Sequence, residues 1–241
     1  MNITREQLGR TVVACDPAVT SGEEADDSGI IVVARGPHQP ETCDLDSCPG
    51  HGYVLADKTC HLPPAQLSRT IIATYDEAQA DRVVAEANNG GDYIGAMIHA
   101  IRADIPYSKV TATRGKQTRA EPASALYEQG RVHHVGGADP GEPFPELAAE
   151  METWTPDASW SPNRLDALVW GLTALGLIGA QGAAFMAAWS KEIEKHPSGP
   201  RPLPIPELHP ADEQTVCKCK APRYRETADS IRCVFCGGEK A

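Results

Sequence analysis

The 241 residues carry 22 Lys and Arg against 33 Asp and Glu, for a formal net charge of -11, and 41% of them are hydrophobic. Such a length accommodates one sizeable domain with its own core and a small second unit. The acidic balance counts against a protein that grips nucleic acid by bulk attraction, but not against one that holds divalent cations between carboxylates.

The start, "MNITREQLGR", is polar and is no secretory signal. "TVVAC" (11–15) is an apolar run without polar alternation, as in a strand covered on both faces. It ends on Asp16, and an ionised carboxylate there is costly without a partner. The loop that follows offers no cation, only Glu23, Glu24, Asp26 and Asp27, before a second apolar run over 29–34. "GPHQPETCDLDSCPGHG" (36–52) reads as an irregular insertion, and "YVLADKT" (53–59) as the third strand of a meander.

"PPAQLSRTIIATYDEAQA" (63–80) reads as a helix with Leu67, Ile71, Ile72 and Tyr75 on one side. "DRVVAEANNGG" (81–91) is a short strand that again ends in an acid, Glu86, with Asn88 and Asn89 shaping the turn after it. "DYIGAMIHAIRAD" (92–104) is a helix whose Ile94, Met97, Ile98 and Ile101 share a face. A strand in "YSKVTATRG", a helix in "AEPASALYEQG" closed by Gly130, and a short strand in "RVHHVG" follow. "SPNRLDALVWGLTAL" (161–175) is a helix with Ser161 as N-cap, Pro162 in the first turn and a buried stripe of Leu165, Leu168, Val169 and Leu172. The apolar run 167–189 is long enough to span a membrane, but its Gly and Ala content suits a buried helix that breaks near 176–182.

The order β-β-β-α-β-α-β-α plus a late helix is ribonuclease H-like: a mixed α/β sheet flanked by helices, with the first strand central and the fourth parallel beside it. Asp16 and Glu86 then end neighbouring strands at the edge where open α/β sheets place their sites. Asp166 supplies a third carboxylate, beside the stripe of a helix that packs on the sheet. Three converging carboxylates repel unless cations sit among them, and an all-oxygen set suits Mg2+ or Mn2+. Two such ions promote phosphodiester cleavage.

From Lys195 the composition shifts. "KHPSGPRPLPIPELHP" holds six prolines in sixteen residues, a stiff linker over about 196–212. In 213–241, Cys217-x-Cys219 and Cys233-x-x-Cys236 are two close thiol pairs suited to a structural Zn2+ in a zinc-ribbon-like module. Lys218, Lys220, Arg223, Arg225 and Arg232 make that module basic, fit for DNA or an acidic partner surface. Cys43, Cys48, His51 and Cys60 are candidates for a second zinc, set against a plain surface loop; Cys15 reads as core.

The segments "DPAVTSGEEADDSGI", "RVVAEANNGGDYI", "TRGKQTRAEPASALYEQGRVHHV" and "SPNRLDALVWGLTAL" resemble, in order and spacing, the nuclease domain of large terminase subunits of tailed double-stranded DNA phages. The resemblance runs over about 11–176, interrupted by the cysteine insertion at about 37–52. It implies a nuclease domain over 1–195: a metal-dependent endonuclease that cuts concatemeric DNA during genome packaging in the host cytoplasm. The family's acidic triad falls on Asp16, Glu86 and Asp166, with Asp26 or Asp27 as auxiliary acid. In "TRGKQTR", Arg114, Lys116 and Arg119 are candidate phosphate contacts. His133 and His134 suit structural roles on a short strand.

No G-x-x-x-x-G-K-[ST] phosphate loop occurs in these residues, so ATP hydrolysis is expected from a separate chain or missing domain. The small terminase subunit and portal are the other partners that the resemblance implies. Two alternatives stand beside the packaging nuclease: a junction resolvase of the same fold, and a non-catalytic module that docks on DNA or the portal.

Overall fold

A computed structural model describes residues 3–18, 26–39, 41–43, 48–87, 92–111, 116–135, 143–178, 224–226 and 231–233. The chain divides into two compact units, 1–200 and 201–241.

The first unit is built on a six-stranded mixed sheet in the order β5-β4-β1-β2-β3-β6. β1 (Thr11–Asp16), β2 (Gly29–Gly36) and β3 (His51–Asp57) form the antiparallel meander. β4 (Arg82–Glu86) lies parallel to β1, and β5 (Tyr107–Val110) parallel to β4. β6 (Val132–His134) adds a parallel strand to β3 at the opposite edge. The mixed, helix-flanked sheet read from the element order is therefore the architecture of this unit.

Two apolar layers sandwich the sheet, and strand parity sorts residues between them. Val13, Cys15, Ile30, Val32, Val83 and Ala85 face α1 (Pro64–Glu77) and α2 (Asp92–Ile101). Val12, Ala14, Ile31, Val33 and Val84 face α3 (Lys116–Glu128), α4 (Pro145–Thr153) and α5 (Asn163–Ala174). β1 is buried throughout, as its unbroken apolar run requires.

The helices differ from the sequence reading in four places. α2 buries Ile94 and Ile98, but Ile101, the last residue of the helix, is 47% exposed. α3 begins at Lys116 and carries Pro122 inside, ahead of the expected start. Helix α4 has no counterpart in the sequence reading, although Phe144, Leu147, Met151 and Trp154 stand at helical spacing and pack on the α5 side of the core.

The fourth difference is the start of α5. Pro162, not Ser161, occupies the N-cap, and no side chain of α5 caps it. Glu150 of α4 does so from outside, its Oε1 accepting the Leu165 N–H at 2.8 Å. The other end closes as a Schellman turn: Leu177 N–H reaches the Leu172 carbonyl and Gly176 N–H that of Thr173, with Gly176 at φ +68°. No helix among the described residues is long and apolar enough to cross a membrane.

In the second unit, β7 (Tyr224–Glu226) and β8 (Ile231–Cys233) pair as an antiparallel hairpin. Cys217, Cys219 and Cys236 lie outside the described residues, and so does the Pro-rich linker.

Candidate active site

Register brings the first two acids together. Val12 to Cys15 of β1 pair with Arg82 to Ala85 of β4, so Asp16 and Glu86 are the next residues of neighbouring parallel strands. Side chains alternate along a strand. Asp16 therefore follows Val12 and Ala14, and Glu86 follows Val84, on the face covered by α5. Helix α5 delivers Asp166 to that face from its first turn. All three carboxylates are buried, at 3–4% exposure.

The approach of α5 depends on Gly29, which pairs with Asp16 across β1 and β2. A Cβ on Gly29 would lie 1.9 Å from the carbonyl oxygen of Asn163, so only a bare backbone lets the helix start sit against the sheet there. Leu165, Leu168, Val169 and Leu172 hold the helix down, and each such buried side chain stabilises by roughly 1.5–3 kcal/mol. Together they outweigh the several kcal/mol that burying one carboxylate costs. Arg164 braces the same turn, its Nε 2.9 Å from Asp57 Oδ2 and its Nη1 3.5 Å from Glu150 Oε2. Burial raises the Glu150 carboxyl above its ordinary pKa, with the Leu165 N–H and Arg164 opposing the shift.

Arg119 enters this site from α3. Its Nη2 lies 3.0 Å from Asp166 Oδ1 and its Nη1 3.6 Å from Glu86 Oε1. The guanidinium stacks on the Trp170 ring, 4.8 Å from the centroid, and the Trp170 indole N–H donates to Glu86 Oε2 at 3.0 Å. Trp170 thus orients both the carboxylate and the cation that faces it. It was not singled out in the sequence, although its i+4 spacing from Asp166 places it on the same helix face.

Glu86 and Asp166 share the Arg119 guanidinium. Asp16 and Asp166 have further interactions, while Asp16 Oδ1 and Asp166 Oδ2 are buried oxygens that accept no hydrogen bond among the described residues. The donor set is all carboxylate oxygen, which fits a hard divalent cation such as Mg2+ or Mn2+.

The remaining candidates are placed as follows. Asp26 is exposed, and Asp27 turns Oδ1 toward His61 Nδ1 at 3.5 Å. Arg114 lies outside the described residues; Lys116 opens α3, and its side chain is not described. His133 and His134 are engaged within the fold, His133 with His51 and His134 with the Tyr127 hydroxyl, at 2.7 Å each.

Cys60 stands apart from the other members of the expected second zinc group. It pairs with Ser28 beyond the far end of β3, whereas His51 opens that strand. Six residue steps of strand separate His51 from Asp57, about 20 Å at about 3.3 Å each, so the two side chains cannot share an ion. His38 is instead the residue grouped with Cys43, Cys48 and His51.

The model of the terminase RNaseH-like domain family matches residues 13–175, a span that contains Asp16, Glu86 and Asp166. No curated protein matches the chain in sequence. Among solved structures, the human cytomegalovirus terminase nuclease domain is similar at 13% identity and a TM-score of 0.51, covering 76% of this chain and 90% of its own. The large terminase nuclease from thermophilic phage G20c is 15% identical with a TM-score of 0.47, covering 70% and 83%. Thermus thermophilus RuvC is 16% identical with a TM-score of 0.37, covering 74% and 96%. At these identities the cytomegalovirus likeness speaks for the fold alone. The family match spans both faces of the sheet and every strand from β1 to β6, and by it the chain belongs to the terminase RNaseH-like domain family.

Proposed function

We propose that this chain is a metal-dependent endodeoxyribonuclease that cuts concatemeric double-stranded DNA during phage genome packaging. One observation supports the reading: three buried carboxylates, Asp16, Glu86 and Asp166, lie on the α5-covered face of the sheet inside the family match. These three would hold two Mg2+ or Mn2+ ions, with Asp26 or Asp27 as auxiliary acid. When bound, such ions supply an activated water and stabilise the leaving oxygen in phosphodiester hydrolysis.

The chain's own residues set the geometry. Glu86 is held by the Trp170 indole and Asp166 by Arg119. Arg119 Nε is a buried N–H without an acceptor among the described residues, which supports a role toward a phosphate oxygen from within the site. Arg114 and Lys116, just ahead of it in sequence, are proposed as further phosphate contacts. A packaging ATPase, the small terminase subunit and the portal are the proposed partners, and the host cytoplasm the proposed setting. Cys217, Cys219, Cys233 and Cys236 are proposed to hold a structural Zn2+; their spacing supports this, with Cys233 closing β8.

The test is nicking of supercoiled plasmid with Mg2+, Mn2+ or EDTA, with wild type beside Asp16→Ala and Asp166→Ala. Nicking that needs metal and falls at least about 100-fold in both variants is expected for ligands of the reacting centre. Equal nicking by wild type and variants would overturn the assignment.

A further inference from the structure

Between β2 and β3 the chain leaves the sheet, turns back, and brings four soft-metal ligands together. His38, Cys43, Cys48 and His51 each offer one ligand atom, and these atoms lie within 4.8 Å of one another. In a tetrahedral zinc site, bonds of about 2.3 Å to sulfur and 2.0–2.1 Å to nitrogen set ligand atoms roughly 3.3–3.8 Å apart. Shifts of about 1 Å therefore close the group around an ion. Cys43 and Cys48 form no disulfide.

Three features show that the cradle is built rather than incidental. The first is the turn carrying Cys48 and His51. Arg35 donates to the Pro49 carbonyl, and Arg131 Nη2 to the Gly50 carbonyl at 3.0 Å. Gly50 itself sits at φ +112°, which disfavours a side chain. The second is the turn carrying Cys43. Its amide bonds the Gln39 carbonyl at 3.1 Å, and the Thr42 hydroxyl bonds the Gly130 carbonyl at 2.9 Å, docking this turn against the end of α3. The third is His51, which is fully buried with Nδ1 2.7 Å from His133 Nε2 on β6. With Nδ1 engaged, Nε2 is the nitrogen left for a metal; the Gln39 amide reaches it only at 3.5 Å. A ligand histidine is ordinarily held through its other nitrogen in this way.

We infer that His38, Cys43, Cys48 and His51 form a closed structural Zn2+ site that pins the β2–β3 insertion to the β3–β6 edge of the sheet. Two thiolates and two neutral imidazoles cancel the charge of the ion, so no net charge is buried. Four protein ligands leave no position for water or substrate, which makes the site structural. It stands independently of the nuclease reading.

Zinc content of the full chain, purified without added metal, tests this. Cys43→Ser/Cys48→Ser is expected to hold one zinc per chain fewer than wild type, whatever the C-terminal cysteines bind, while Cys60→Ser keeps the wild-type content. His38→Ala changes an exposed residue and is expected to weaken zinc retention against a chelator without unfolding the chain. His133→Phe, which removes the outer hydrogen bond, is expected to weaken it about 10–100-fold. Equal zinc in wild type and the double variant would overturn the site. So would a Cys43–Cys48 disulfide in protein prepared without reductant, or zinc lost in Cys60→Ser but fully retained in His38→Ala.

Discussion

Gly29→Ala tests how the three acids are assembled, using a single methyl group. The added Cβ would stand 1.9 Å from Asn163 O and 2.6 Å from its carbon. Ordinary contact begins near 3.4 Å, so the overlap is 3.4 − 1.9 = 1.5 Å, and it falls on backbone that cannot rotate away. Gly29 does not occupy the left-handed region, so the effect is steric and not conformational. Either the start of α5 lifts by about that distance or β2 gives way. Overpacking of this kind costs about 1–3 kcal/mol. For a unit of this size about 2 kcal/mol corresponds to a fall of roughly 4–8 °C in Tm. The lift also carries Asp166 away from Asp16 and Glu86, and a misplacement of about 1 Å costs on the order of 100-fold in rate. Differential scanning fluorimetry beside metal-dependent plasmid nicking, normalised to folded protein, reads both effects. Native Tm together with native nicking would refute the seating of α5 on Gly29. A lowered Tm with full nicking would show that cleavage does not depend on how Asp166 is delivered.

Other expectations concern individual side chains. Burial, then Asp27 and Asp57, push the Cys60 thiol up to about 11. At pH 8 it should therefore alkylate roughly 100-fold more slowly than an ordinary thiol, and mass mapping after iodoacetamide checks this. The raised Glu150 carboxyl favours the protonated form in the folded state, a contribution present below the unfolded value of 4.5 and lost as pH rises through the folded one. Glu150→Gln keeps an acceptor for the Leu165 N–H and cannot ionise, so its Tm relative to wild type should rise between pH 4.5 and 7. A flat or falling difference would contradict the burial of that carboxyl.

Much of this protein is legible in short windows of sequence. Unbroken apolar runs mark β1, β2 and β4, because both faces of those strands are covered, and 3.6-residue spacing marks α1, α2 and α5, because one face of each must be apolar. Asp16 and Glu86 stand out as acids that end apolar runs, and Asp166 as an acid beside a helical stripe. Gly176 marks where α5 stops, as its left-handed turn requires. The alternation that buries Val12 and Ala14 against α5 also fixes the face on which Asp16 lies, but only strand pairing reveals that Glu86 lies beside it.

Contacts between elements distant in sequence were settled only by tertiary structure. The grip of Trp170 on Glu86 spans 84 residues, and that of Arg119 on Asp166 spans 47. Glu150 caps α5 from α4, and the helical spacing of Phe144, Leu147, Met151 and Trp154 does not reveal that contact. The cysteine insertion shows the same division most directly. Cys43, Cys48 and His51 declare themselves by residue type, but His38 or Cys60 as fourth member is a question of distance. Strand β3 answers it by carrying the chain about 20 Å away from His51 before Cys60 is reached. Local pattern sets what each segment can bury, whereas the register and length of the strands determine which side chains meet.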